Sequence, residues 1–196
     1  MFDKVAEFEN AVAEFYGAPY AVATDCCTHA IELCLRLIKP SNIACPKNTY
    51  ISVPMTFEKL GIAWEFVDTK WQDYYHITNT NIIDAAVYWK AGGFQKGHFN
   101  CLSFQFKKHL NLGRGGMILT DNQEAAIKLK KMSYDGRRPD IPWGQQNIDI
   151  VGYHYYMTSE TAKLGLSKLK QVRNSPPRVW SDQDYPDLST MKVFKK

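Results

Sequence analysis

The chain has 196 residues, of which 45% are apolar and 22% charged, and carries a formal net charge of +4. Those values suit one soluble globular domain, with or without a tail, and provide enough chain to bury a core. So mild a positive charge does not by itself imply nucleic acid, and no apolar run approaches the roughly 18 residues that span a bilayer. The acidic, amphipathic N-terminus is unlike a signal peptide. Cys26, Cys27, Cys34, Cys45 and Cys101 are odd in number and form no Cys-x-x-Cys pair. Reduced thiols in a cytoplasmic protein are the simplest reading, with redox chemistry at the vicinal Cys26-Cys27 pair the lesser alternative.

In chain order, residues 4–16 are expected to form a helix, because Val5, Phe8, Val12 and Phe15 share one face and Gly17 ends the run. Residues 20–24 read as a short strand, 28–38 as a helix stopped by Pro40, and 43–45 as a strand. Residues 49–60 read as a helix whose regular part is confined to its later turns by Pro54. Strands are expected at 62–67, 81–84, 99–104 and 117–120. Residues 122–132 carry a helical pattern with Asn122 as N-cap, 135–150 read as a loop, and 158–172 as a helix. Strands alternating with helices predict a three-layer α/β domain with a mostly parallel sheet over 1–174. The polar, aperiodic residues 175–196 predict an extended or flexible C-terminal tail.

Three segments carry chemistry-bearing residues. Ala23-Thr24-Asp25-Cys26-Cys27-Thr28-His29 follows a strand and opens a helix, whose free N–H groups can bind phosphate; taken alone, an ordinary Asp or Thr cap is the favoured reading. Ile82-Ile83-Asp84-Ala85-Ala86 places an acid at the carboxyl end of a buried strand, where α/β proteins hold their ligands; the alternative is an Asp capping a turn. Ser103 is followed five residues later by Lys108, then by the tight turn Gly113-Arg114-Gly115-Gly116. A lone Lys-Lys pair would otherwise read as a solvated basic loop.

In this order the three segments resemble the DegT/DnrJ/EryC1/StrS aminotransferases, fold-type I enzymes dependent on pyridoxal 5'-phosphate (PLP) that act mostly on nucleotide-linked keto-sugars. Phe8-Glu9 through Tyr16-Gly17-Ala18, Pro46-Lys47-Asn48-Thr49-Tyr50 and Gly152-Tyr153-His154-Tyr155-Tyr156-Met157-Thr158 extend the resemblance over residues 5–173. The resemblance implies that Lys108 anchors the cofactor through a Schiff base and that Asp84 pairs with the pyridinium nitrogen, making the ring an electron sink. It implies that Tyr50 stacks on the ring and that Thr28, His29 and Ser103 hold the phosphate. His154 stands where the family has an Asn that reaches a phosphate across a dimer interface. A homodimer, a glutamate-type amino donor and a keto-sugar acceptor are the corresponding expectations.

The chain departs from the family pattern in several places. The family is roughly twice this length, and its C-terminal small domain has no counterpart here. Only a short stretch joins Val67-Asp68 to Ile83-Asp84, where the family has a strand-helix-strand excursion, so one βα unit is deleted. Arg114 replaces an acid, Val87 replaces a His or Gln, and Cys27 replaces the Gly of a Gly-Thr pair. A homologue that binds PLP or a partner without transaminating is the alternative reading. A nucleic-acid module ranks below both, since the basic and aromatic residues form no binding motif. No metal site is expected from His98, His109 and His154, which lack ligand spacing.

Overall fold

The computed structural model describes residues 2–195; Met1 and Lys196, which terminate the expected domain and tail, lie outside the described residues. The elements run α1 (Asp3–Tyr16), β1 (Tyr20–Thr24), α2 (Cys27–Ile38), β2 (Asn42–Pro46), α3 (Ser52–Leu60), β3 (Ala63–Val67), β4 (Tyr75–Ile77), β5 (Ile82–Asp84), β6 (Phe99–Ser103), β7 (Gly116–Thr120), α4 (Gln123–Ser133) and α5 (Ser159–Val172). Pro54 falls in the first turn of α3, where its missing N–H has no helical partner to lose. Asn122 caps α4 by accepting from the Ala125 N–H at 3.0 Å, and Thr158 caps α5 by accepting from the Thr161 N–H at 3.2 Å.

The α/β architecture is three-layered. Neighbouring residues of each central strand point to opposite faces. Val22, Ile82, Cys101 and Ile118 join a core with α2, α3 and α4. Ala23, Ile83, Leu102, Met117 and Leu119 join a second core with α1 and α5. Burial on both faces is why these strands are continuously apolar rather than alternating.

The sheet itself is mixed, which corrects the expectation of a mostly parallel one. Its order is β1-β7-β6-β5-β4, and only the β5–β6 pair is parallel. The physical reason lies in the connections. No helix crosses over between β6 and β7, so the Gly113–Gly116 turn returns the chain as an antiparallel neighbour. β2 and β3 form a separate parallel pair.

β4 was not legible in the sequence. It lies between β3 and β5 in the chain, pairing antiparallel with β5 on one side. On the other side the Thr78 N–H donates to the Ala44 carbonyl at 2.9 Å, a single bridge to β2. A three-residue strand therefore spans the gap between the two sheets.

Residues 175–195 run in irregular and extended conformations broken by three short 3₁₀ turns. They are docked along the carboxyl-end face of the molecule. The Trp180 carbonyl accepts from the Asp73 N–H at 2.8 Å, the Asp182 N–H donates to Trp71 O at 3.1 Å, and the Leu188 N–H donates to Lys47 O at 2.9 Å. Leu188 is buried. This strap lies beside the cleft described next. No helix among the described residues is long and apolar enough to cross a membrane.

Candidate active site

A cleft of about 460 Å³ opens at the carboxyl ends of β5 and β6, in the size range of small-molecule sites. Thr28, His29, Tyr50, Asp84, Ser103 and Lys108 all line it. The sequence-derived candidates thus converge, with one exception. His154 lies outside the cleft with its side chain 72% exposed, and its Nδ1 sits 3.0 Å from Asp135 Oδ2.

Asp84 ends β5 and is buried. Its Oδ2 accepts from the Tyr75 hydroxyl at 2.6 Å and its Oδ1 from the Ala86 N–H at 3.0 Å. Burial pushes its carboxyl above the usual range, while those two hydrogen bonds and the Lys108 charge act against the rise. Tyr75 stands opposite Asp84 in the β4–β5 register, and its oxygen lies 2.5 Å from Thr49 Oγ1. Sequence reading missed Tyr75 because its strand is too short to show periodicity.

Lys108 sits in the β6–β7 loop. That loop is fixed by hydrogen bonds from the Phe104 N–H to Gly115 O and from the Phe106 N–H to Gly113 O, at 2.9 and 3.2 Å. Burial holds the Lys108 ammonium below the ordinary lysine range; Asp84 and Cys27 oppose that shift and Lys107 adds to it. A larger neutral fraction makes the amine a better nucleophile and proton acceptor.

At the start of α2, the N-cap residue Cys26 is extended and makes no side-chain cap hydrogen bond. The first helical N–H groups are therefore open to solvent or to a ligand. The turn needs no left-handed residue despite Cys27 standing in place of glycine. Its backbone instead lies against Gly116, where a Cβ would come 2.4 Å from the Cys26 carbonyl carbon. Thr28 Oγ1 is 2.7 Å from Ser52 Oγ, and Ser52 also lines the cleft.

The rim carries a charged network that the sequence did not disclose. Asp25 meets His29 Nδ1 at 2.6 Å and accepts from Arg114 Nη2 at 2.8 Å. Burial would lower the His29 pKa, but hydrogen bonds with Asp25 and Cys26 raise it to about 9. Burial would raise the Asp25 pKa, and hydrogen bonds from His29 and Arg114 bring it below the usual range. Side-chain donors of Asp25, Cys26 and His29 lie within 4.8 Å of one another. Arg114 already neutralises the carboxylate, and a protonated His29 is no metal ligand. Tyr155 stacks on the His29 ring at 3.6 Å between centroids.

The family model of the DegT/DnrJ/EryC1/StrS aminotransferases matches residues 1–91 and 86–177. The chain belongs to that family. Similar curated proteins include the GDP-perosamine synthase of Caulobacter vibrioides, 33% identical over 75 residues, which are 37% of this chain and 19% of that protein. The spore coat polysaccharide biosynthesis protein SpsC of Bacillus subtilis is 25% identical over 89% of this chain and 58% of its own length. The crystal structure of AtS13 from Actinomadura melliaura superposes with a TM-score of 0.76 at 21% identity, covering 86% of this chain and 60% of that one. This family member thus spans less than two thirds of each of these relatives.

The geometry gives the departures from the DegT/DnrJ/EryC1/StrS pattern physical form. Val87 leaves Asp84 without the His or Gln expected three residues on, and Tyr75 supplies a hydrogen bond from the opposite strand. Arg114, in place of an acid, pairs with Asp25. From the strap, Tyr185 lines the cleft and packs at 5.5 Å against Trp71.

Proposed function

We propose that the cleft binds PLP and that the protein transfers an amino group to a keto-sugar, nucleotide-linked or similar, from a glutamate-type donor. The observation that carries this reading is the shared cleft of Lys108, the buried Asp84 and the uncapped start of α2. The residues fit the group. A depressed lysine amine offers a covalent anchor, a buried carboxylate offers a partner for a ring N–H, and free amides suit a phosphate. When bound, PLP supplies an electron sink for breaking a bond at the substrate carbon.

The roles of the chain's own side chains follow. Lys108 Nζ holds the cofactor and then takes and returns the proton. Asp84, oriented by the hydrogen bonds from Tyr75 and Ala86, would pair with the ring nitrogen and favour its protonated form. Thr28, the α2 amides of Thr28 and His29, and Ser103 hold the phosphate, with His29 and Arg114 adding positive charge nearby. Tyr50, 55% exposed at the cleft wall, covers the ring face. His154, exposed on the surface, is available to the partner's phosphate in a homodimer. We place the protein in the cytoplasm, where its five free cysteines stay reduced.

The test is borohydride reduction after incubation with PLP, followed by peptide mapping. The label is expected on Lys108; labelling of Lys107, or none, removes the assignment. An Asp84→Asn variant is expected to fold and to lose amino transfer from glutamate. A wild type that takes the label yet shows no transfer from glutamate is the non-transaminating homologue.

A further inference from the structure

We propose that residues 178–187 of the strap are a lid, held closed when the cleft is occupied and opening readily when it is empty. The match to the family model ends at residue 177, so the lid lies outside it. The inference rests on the PLP reading for the occupant's identity, and on three observations of its own for the lid.

The first is how the segment is attached. No side chain within 178–187 is buried, whereas the next residue, Leu188, is. The ties to the core are hydrogen bonds from the Asp73 N–H to Trp180 O at 2.8 Å, from the Asp182 N–H to Trp71 O at 3.1 Å and from Asn48 Nδ2 to Tyr185 O at 3.0 Å, with an ion pair between Lys47 and Asp187 at 3.4 Å. A segment with so little buried surface opens at lower cost than the sheet it lies on. It is also tethered at both ends. Helix α5 precedes it, and after it come Leu188 and Phe194, whose ring packs edge-on against Trp64 and Phe66 at 5.8 and 5.4 Å. The middle can therefore lift while both ends stay in place.

The second is what the segment covers. Four aromatic rings run in sequence along the cleft: Trp180 to Tyr185 at 6.3 Å, Tyr185 to Trp71 at 5.5 Å, and Trp71 to Tyr75 at 5.3 Å. The run begins at Lys108, whose Nζ lies 5.4 Å from the Trp180 ring, and ends at Asp84, which accepts from the Tyr75 hydroxyl. Trp71 and Tyr75 are buried parts of the core. Trp180 and Tyr185 belong to the lid, so half of the run leaves with it.

The third is the space beneath. With the lid docked, the cleft still measures about 460 Å³, within the range of small-molecule sites. An occupant is therefore covered by the lid and does not compete with it. An occupant that touches Tyr185 gains contact only in the docked state. Occupancy and docking then strengthen one another by the same factor.

The test uses the full chain, labelled with nitrogen-15, and follows amide exchange. The Asp73 and Asp182 N–H groups report the lid. The Leu188 and Ala85 N–H groups, bonded to Lys47 O and Cys101 O, report the anchor and the sheet. Without cofactor, the lid amides are expected to exchange about tenfold or more faster than Ala85. Saturating PLP is expected to slow the lid amides about tenfold more than it slows the other two. Lid amides as slow as Ala85 in the empty chain, or no selective slowing in a PLP-saturated chain, overturn the lid. A second arm needs no cofactor and reads acetylation of lysines by acetic anhydride. Asn48→Ala removes one tie at a residue that does not line the cleft. It is expected to raise the acetylation of Lys108 relative to Lys107 about fivefold, and an unchanged ratio overturns the lid. Absorbance that shows no PLP binding removes the cofactor reading instead, and the empty-chain exchange and the acetylation still decide the lid.

Discussion

Asp84 receives two hydrogen bonds, and only one of them comes from its own stretch of chain. The other comes from Tyr75, so Tyr75→Phe tests that support with little change in packing. Removing a hydrogen bond to a buried carboxylate costs about 1–2 kcal/mol, which corresponds to roughly five- to thirtyfold weaker PLP binding at neutral pH. Binding followed by absorbance should show it, and the loss should shrink in an Asp84→Asn background. His29 gives a pH dependence with a defined sign. Its folded pKa of about 9 exceeds the ordinary 6.5, so its contribution is complete below 6.5 and lost as pH rises through about 9. Urea midpoints of the wild type should fall over that interval, and His29→Gln should flatten the slope. The depressed Asp25 sets the opposite limit: its share is lost on acidification through its lowered pKa.

At the scale of elements, Gly116 shows how closely β7 and the start of α2 approach. A methyl group there would meet the carbonyl carbon of Cys26 at 2.4 Å and the Cys27 nitrogen at 2.5 Å. Neither is the far end of a flexible side chain, so the helix start itself must move. Gly116→Ala should cost on the order of 3 kcal/mol by urea unfolding and weaken binding of inorganic phosphate at the same amides. Most elements were legible because each carries a long apolar pattern or a cap: the stripe of α1, Asn122 before α4, Thr158 before α5. Strand ends and a glycine turn located Asp84, Ser103 and Lys108, but only the family resemblance singled them out as a site. β4 was not legible, because three residues show no period. Arg114 was readable as a departure, but its partner Asp25 is 89 residues away and joined only by folding. The strap's docking left no local signal, since it depends on contacts between remote segments.

For the whole molecule, the proposed homodimer has a surface to use. Tyr50 and Phe106 line the cleft with exposures of 55% and 58%, and Ile51 and Met55 on or beside α3 are exposed as well. Within the 153–156 segment, Tyr153 and Tyr155 stack on one another and Tyr155 on His29, so their rings serve the subunit's own packing. His154, held by Asp135, is the exposed member of the segment and the one placed to face a partner in the proposed dimer. Light scattering at micromolar concentration should give twice the chain mass; a monomer, with or without PLP, contradicts the assembly and the role given to His154.

The strap has a consequence in time as well as in space. Residues 178–188 are synthesised after every helix and strand of the core, yet Arg178, Trp180 and Tyr185 form walls beside Lys108 and in the cleft. On the ribosome, the lysine's surroundings are therefore assembled in two instalments, first from the sheet and helices and last from the strap. Until the strap docks, the Lys108 amine lacks the walls that Arg178 and Trp180 give it.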